Sequence, residues 1–399
     1  MQQIKMKILH VIPSVAPVRG GPSAAVLKMV QALNQLGIQS EIATTNDNGS
    51  QLLDVPLGKC VDYHGVPVRF FSRFSPPINS VREFAFSQDL TNWLWHNIKR
   101  YDLLHIHAIF SYASTAAMAI ARLQKVPYII RPIGQLCTWS LQQSAMKKQL
   151  YLKIIEKANI NHSYKIHFTA TAEQQESAHL NLTCPGFVLP LGISIPPKIA
   201  HARQLVRQHF NLPADEPIIL FLSRLHPKKG LDYLIPALGK LSHYRFSFVL
   251  AGGGTPKYES YLKSLVVTHG IEEKSHFTGF VKGEFKDLLI QGADLFTLTS
   301  HSENFGVAVL EALAGGIPAL VTPGVALADM ITQQQLGYVT ELNVEAIAFT
   351  IKQILIHPQN MKEMGDRARQ FILKNYTWDK VALQMISVYK SIIKTDHGV

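Results

Sequence analysis

Apolar positions along this chain fall into two alternating kinds of segment. Short, nearly continuous apolar runs bounded by polar loops predict strands, and longer segments with apolar residues every three or four positions predict helices. In the first half KMKILHVI, QSEIATT, VPVRFF, DLLHIHA, VPYIIRP and KIHFTAT read as strands, while PSAAVLKMVQALNQLG, STAAMAIARLQ and SAMKKQLYLKIIEKANINHS read as helices. The second half restarts the alternation. PIILFLSRL, FSFVLAGGG, KSHFTGFV, ADLFTLTS and IPALVT are strand-like, LDYLIPALGKL and the glycine-bracketed GVAVLEALAGG are helical, and helical segments are expected from there to the end. Strands alternating with helices predict parallel α/β sheets.

The halves meet near Val188–Asp215, VLPLGISIPPKIAHARQLVRQHFNLPAD, whose prolines at 190, 196, 197 and 213 suit a linker and a domain entry. A length of 399 residues also favours two domains, because single cores stop growing below that size. Two similar α/β halves are expected, with ligand held at strand C-termini and in a cleft between the halves.

Composition narrows the class. At 47% hydrophobic and 17% charged residues the chain suits a globular fold and not a disordered one. No apolar run reaches the roughly 18–20 residues of a membrane-spanning helix. The start, MQQIKMKILHVIPSVAP, enters a strand-like run directly, so no signal peptide is expected. Cys60, Cys137 and Cys184 lie far apart and form no CxxC pair. That usage fits a reducing cytoplasm and three buried, inert thiols, with neither a disulfide framework nor a zinc site. Residues 1–200 carry 19 Lys and Arg against 10 Asp and Glu, and residues 201–399 carry 20 against 18. A basic half attracts polyanions, but no helix-turn-helix, zinc-finger or RNP-type signature is present, so nucleic acid is not an expected partner.

Candidate chemistry concentrates in two segments. In Phe221–Leu238, FLSRLHPKKGLDYLIPAL, Arg224 sits just past a strand, and Lys229 and Gly230 directly precede a helix. Two cations beside a helix N-terminus suit an anion such as a diphosphate; a solvated basic loop is the plain alternative. In ADLFTLTSHSENFGVAVLEALAGGIPALVT, Glu303 and Glu311 are eight residues apart, and they share a face if the helix starts at Glu303. Asn304, Phe305 and Gly306 fall at the helix start, where free N–H groups can meet sugar hydroxyls or phosphate. Two carboxylates there can hold a hexose and a ribose of one ligand, or be surface charge. Gly252, Gly253 and Gly254 follow a strand and fit either close backbone approach to a nucleotide or a turn. His105 and His107 alternate in DLLHIHAIF and so face one side of a strand. Arg131 ends a strand and is an anion or acceptor contact if it reaches the cleft. Gly20–Gly21 alone is a turn, since no GxGxxG fingerprint is present.

SRLHPKKG followed by SENFGVAVLEALAGGIPAL resembles the retaining glycosyltransferases of the GT-B fold, family 4, and the likeness extends over nearly the whole chain. The resemblance implies two Rossmann-like domains facing each other across a deep cleft, 1–195 for the acceptor and 196–377 for the donor. A C-terminal helix near 378–399 would pack back on the first domain. It implies that Arg224 and Lys229 bind the donor diphosphate, that Glu303 contacts the sugar with backbone N–H groups near Asn304, Phe305 and Gly306, and that Glu311 holds the ribose. Val281, in the turn Gly279–Phe280–Val281, would contact the nucleobase, and Gly252 and Gly253 would lie near the nucleotide. Gly20 and Gly21 match the family's glycine loop, which admits donor phosphate and acceptor. His107 matches the histidine beside the donor sugar.

No Asp-x-Asp occurs, so activity without a metal or other cofactor is expected, the cations carrying the diphosphate charge. The resemblance further implies hexose transfer with retention, UDP-glucose first among UDP- and GDP-sugars, a glycan or lipid-linked saccharide acceptor, and a role in exopolysaccharide or cell-envelope glycan synthesis. A UDP-sugar 2-epimerase or hydrolase and a non-catalytic glycan- or lipid-binding relative are the competing classes. Gln142–His167 carries Lys147, Lys148, Lys153, Lys157 and Lys165 with Leu150, Leu152, Ile154 and Ile155. That pattern fits either a core-packed helix or one lying on an anionic membrane surface, so a cytoplasmic protein, peripheral on the inner face of the plasma membrane, is one expectation.

Overall fold

The computed structural model describes residues 6–78, 82–142 and 145–396. The chain divides into two units, Met1–Gly192 with Trp378–Val399, and Ile193–Thr377.

In the first unit eight strands form one sheet: β1 Lys7–Val11, β2 Gln39–Thr45, β3 Cys60–Asp62, β4 Pro67–Phe71, β5 Leu103–His107, β6 Tyr128–Arg131, β7 Lys165–Phe168 and β8 Gly186–Val188. Their order across the sheet is β8-β7-β6-β5-β1-β2-β4-β3. All neighbours run parallel except β3 against β4. A parallel sheet is covered on both faces, which is why β5 is buried at every position. Strand alternation then sorts the side chains. Leu9, Val11, Leu104, Ile106, Ile130, Ile166 and Phe168 join one apolar core. His10, His105, His107, Arg131 and His167, at the alternate positions of the same strands, are buried as well. The helix Trp378–Asp396 packs against the helix Gly21–Gln35 and sends Tyr389 to this polar layer.

The second unit carries six parallel strands: β9 Ile218–Leu222, β10 Ser247–Ala251, β11 Ser275–Gly279, β12 Leu295–Leu298, β13 Ala319–Val321 and β14 Gly337–Val339. The order is β11-β10-β9-β12-β13-β14. The chain builds outward from β9 in one direction, then returns to its other side with β12. Loops leaving the C-terminal ends of β9 and β12 diverge at this switch point, where open α/β sheets receive ligands.

Several elements lie outside the sequence pattern, among them β3, β8 and the helices Gln88–Asn97, Pro256–Thr268 and Gly283–Gly292, and three further differences touch particular expectations. β14 lies where only helices were expected; it is three residues long, and a Cβ on Gly337 would meet the Ala319 carbonyl oxygen at 2.0 Å. The helix expected over SAMKKQLYLKIIEKANINHS is interrupted. It runs as Ala145–Tyr151, a π-helical turn Leu152–Glu156, and Lys157–Asn161. The turn buries Leu152 and Glu156 while Met146, Leu150 and Ile154 stay 86%, 60% and 65% exposed. Gln143, Ser144 and the Lys147 side chain lie outside the described residues. Part of the proline-rich seam is a helix, Ala202–His209, anchored by a 2.6 Å ion pair from Arg207 to Asp294. Of the three thiols expected to be buried, Cys137 and Cys184 are, whereas Cys60, on edge strand β3, is exposed. Among the described residues no helix is long and apolar enough to cross a membrane.

Candidate active site

The switch point of the second unit gathers most of the expected donor residues. β9 ends at Leu222, and the chain continues through exposed Arg224 into the turn Pro227–Lys229. His226 starts that turn by accepting from the Lys228 N–H at 3.1 Å. Burial and the charges of Arg224, Lys229 and Lys228 hold its imidazole below the usual value. Gly230 follows at φ 65, where a Cβ would lie 2.0 Å from the Thr299 carbonyl oxygen. Only glycine allows that approach, which is tied by Thr299 Oγ1 donating to the Gly230 carbonyl at 3.1 Å. Lys229 is consequently buried, not solvated. Its ammonium donates to Glu303 Oε2, so the loops after β9 and β12 are joined by an ion pair. Arg224 makes no ion pair among the described residues.

The helix after β12 does not start at Glu303. It spans Val307–Gly315, with Gly306 as N-cap at φ 83 and Gly316 as C-cap at φ 88. Glu303 instead lies in extended chain bridged to Val325; its N–H donates to Gly324 at 2.7 Å, and its carbonyl accepts from Ala326 at 3.0 Å. The shared helical face therefore does not exist, and each glutamate finds its own cation. Glu311, inside the helix, accepts from Lys286 Nζ at 2.6 Å. Phe305 is buried. Asn304 and Gly306 sit between Glu303 and the first helical turn, whose leading N–H groups lack intrahelical acceptors.

The glycines divide by cause. A Cβ on Gly252 would meet the Ser223 carbonyl oxygen at 1.8 Å, and one on Gly254 the Leu225 carbonyl oxygen at 2.7 Å, so packing against the β9 loop accounts for both. Gly253 is less confined, its nearest neighbour being Phe280 Cβ at 3.8 Å. Val281 is half-buried, whereas Phe280 beside it is 78% exposed, after Gly279 at φ 68.

Gly20, Gly21, His107 and Arg131 belong to the first unit; the glycines follow β1 and His107 ends β5, the strands of the corresponding switch, while Arg131 ends the neighbouring β6. Gly20 has φ 74, and open space surrounds the Cβ position of both glycines. His107 is fully buried, and its Nε2 lies 2.9 Å from His10 Nδ1. Burial, with the neighbouring His105 and Arg131, pushes its pKa well down. Burial and Arg131 lower His10 to about 3. Burial, with His10, His167 and Arg131, also lowers His105. Neutral rings fix the direction of a hydrogen-bond chain. Tyr389 donates to His105 Nδ1 at 2.8 Å, His105 Nε2 to His167 Nδ1 at 3.2 Å, and His167 Nε2 to the Leu189 carbonyl at 2.8 Å.

Arg131 is buried, and its three guanidinium nitrogens have no hydrogen-bond partner among the described residues. Burial lowers its pKa to about 10, against the opposing pull of Glu173 and Tyr389. Arg131 thus stands inside the first unit and not on an exposed wall. His10, His105 and His107 bring ring nitrogens within 4.8 Å of one another, a spacing that admits a metal ion. The Arg131 charge opposes a cation there.

Lys286, His10 and Tyr389 escaped the sequence reading. Only His10 carried a usable signal, since it has the same strand position in KILHV that His105 has beside it.

The family descriptions "Glycosyl transferases group 1" and "Glycosyl transferase 4-like domain" match residues 202–371 and 20–185. An uncharacterized glycosyltransferase of Methanocaldococcus jannaschii is 32% identical over 186 residues, covering 46% of this chain and 47% of that protein. The chain spans about half the length of the curated relatives it matches. Sucrose-phosphate synthase from Thermosynechococcus elongatus superposes with a TM-score of 0.77 at 19% identity, covering 98% of this chain and 100% of that one. Anabaena HepE, solved with UDP and glucose, gives 0.73 at 17% identity over 97% and 100%; it has also been solved with UDP-glucose. At these identities the structural likeness carries the GT-B fold, and the two family matches carry the family. The chain belongs to the group 1 glycosyltransferases.

Proposed function

We propose that this protein transfers a hexose from a nucleoside diphosphate sugar to an acceptor hydroxyl, with retention of anomeric configuration. The observation that carries the reading is the Lys229–Glu303 pair at the switch point of the second unit, with Arg224 on the same loop as Lys229. The cations suit a diphosphate, and the carboxylate suits sugar hydroxyls. Bond cleavage builds charge on the leaving phosphate, and preorganised cations at that oxygen are a strong source of rate. Glu311, Val281, Asn304 and the N–H groups at Gly306 would complete the donor contacts, without a metal ion or another cofactor.

UDP-glucose is the preferred donor, a choice supported by the Anabaena relative solved with it. The acceptor would be a glycan or lipid-linked saccharide in exopolysaccharide or cell-envelope synthesis, handled in the cytoplasm at the inner membrane face. Support for the membrane part is the exposed stripe Met146, Leu150 and Ile154 with exposed Lys153 beside it.

The test is a thermal-shift screen of UDP- and GDP-sugars, followed by nucleotide release with and without saccharide acceptors. The reading predicts stabilisation by one donor class, acceptor-dependent release, and an α-linked product from an α-linked donor by NMR. No response to any nucleotide sugar contradicts it. Free or 2-epimerised sugar as the sole product points to a hydrolase or epimerase instead.

A further inference from the structure

The glycine loop after β1 is fastened by an arginine whose charge is already matched. Arg19 closes the turn Pro17–Arg19 and directly precedes Gly20 and Gly21. Its Nε and Nη2 donate to the two carboxylate oxygens of Asp47 at 2.7 and 2.9 Å, and its Nη1 donates to Glu83 Oε2 at 2.7 Å. Every nitrogen of the guanidinium therefore meets a carboxylate. Asp47 is itself buried and takes a second arginine, Arg73, whose side chain is 1% exposed. Arg73 also donates to the Gly49 carbonyl at 2.9 Å, and its N–H donates to Asn46 at 2.9 Å. Two arginines and two carboxylates balance in charge.

The same strand end holds the loop from its other side. Ser14 Oγ donates to the Asp47 carbonyl at 2.6 Å, the Ala16 N–H donates to Ser14 Oγ at 3.0 Å, and Ser23 Oγ donates to the Ser14 carbonyl at 2.8 Å. Between these ties stand Gly20 and Gly21, with open space at their Cβ positions.

An arginine one residue from a loop suited to phosphate is naturally read as an anion ligand. Here the bonding says otherwise, because engaging an anion would strip Asp47 of a bidentate partner. We propose that Arg19 is a positioning residue: it braces the Gly20–Gly21 loop against buried Asp47 and leaves the ligand to the loop's backbone. The loop's use rests on the proposed transferase function; the brace itself does not.

Lysine separates the two roles, since it keeps the charge but lacks the planar fork. Arg19→Lys and Arg19→Ala would be compared with the unaltered protein by amide exchange over residues 20–29, by UDP affinity, and by kcat and KM for transfer. For a brace, both variants speed exchange about tenfold or more and lower kcat by a similar factor. UDP affinity then stays within about threefold, because the proposed side-chain contacts to the nucleotide, Arg224, Lys229 and Glu311, are unaltered. The proposal is overturned if lysine preserves loop exchange and transfer while alanine weakens UDP binding, which makes Arg19 an anion ligand. It is equally overturned if neither variant alters loop exchange. Should the unaltered protein transfer no sugar at all, the functional reading fails while the exchange measurement still judges the brace. Glu83→Gln, at an exposed carboxylate, offers a milder version that keeps the Asp47 fork, with a smaller rise in exchange expected.

Discussion

Lys229 and Glu303 are bonded to each other, although one suits a diphosphate and the other a sugar. On the proposed function, donor binding would exchange this one charged contact for two, phosphate oxygens at Lys229 and hydroxyls at Glu303. Glu303→Gln removes the competing carboxylate from Lys229. It should leave UDP affinity unchanged or tighter while lowering transfer by on the order of 10²-fold, because the lost contact is to the sugar. Calorimetry with UDP and initial rates with the donor check the two halves separately.

On the proposed function, Lys229→Ala would remove a cation from the departing phosphate. Turnover should fall by on the order of 10²–10³, the scale of losing one preorganised donor at a developing charge. Near-wild-type turnover contradicts the assignment.

Glu311 is held at 2.6 Å by Lys286, a bond that ribose hydroxyls would replace on the proposed function. Glu311→Gln should weaken UDP about tenfold, the scale of one charged hydrogen bond. The same change should erase most of the preference for UDP over its 2′,3′-dideoxy analogue. Competition binding with both nucleotides provides the check.

The buried imidazoles set a pH limit on stability. His10 and His167 are both lowered from 6.5 to about 3, burial being the main cause and Arg131 the second. The folded chain then keeps them neutral while the unfolded chain binds protons below 6.5. Their contribution is complete above that value and shrinks as pH falls toward 3, by up to about 1.4 kcal/mol per pH unit for each ring. Urea midpoints should drop between pH 6.5 and 5, before carboxylates titrate appreciably. His167→Gln, which can still donate to the Leu189 carbonyl, should flatten the slope.

Much of the second unit was legible in the sequence because local rules agree there. Gly306 and Gly316 bracket an apolar helix, and Gly316 ends it in the left-handed conformation that helix C-terminal caps favour. The Glu303–Glu311 relation was not legible, since it depended on where the helix begins, and that is decided by Gly306 and by the bridge to Val325. Lys286 was invisible for a related reason: it reaches Glu311 from a separate helix, Gly283–Gly292, and no spacing rule links them. In the first unit, alternation put His105 and His107 on one face. Arg131 was an anion or acceptor contact only if it reached the cleft, and the same alternation turns it into the buried layer of His10 and His167. Strand β14 was missed because its three residues carry too little apolar pattern, and Gly337 is there to let Ala319 approach.

The central claim is that Arg224 and Lys229 bind a nucleoside diphosphate without a metal ion. Calorimetric titration of UDP in excess EDTA, on the unaltered protein and on the Arg224→Ala/Lys229→Ala double variant, tests it most directly. The account predicts binding to the unaltered protein in chelator and a loss of about 100-fold or more in the double variant, from two charged contacts. Binding that disappears with EDTA, or equal affinity in the double variant, would contradict it.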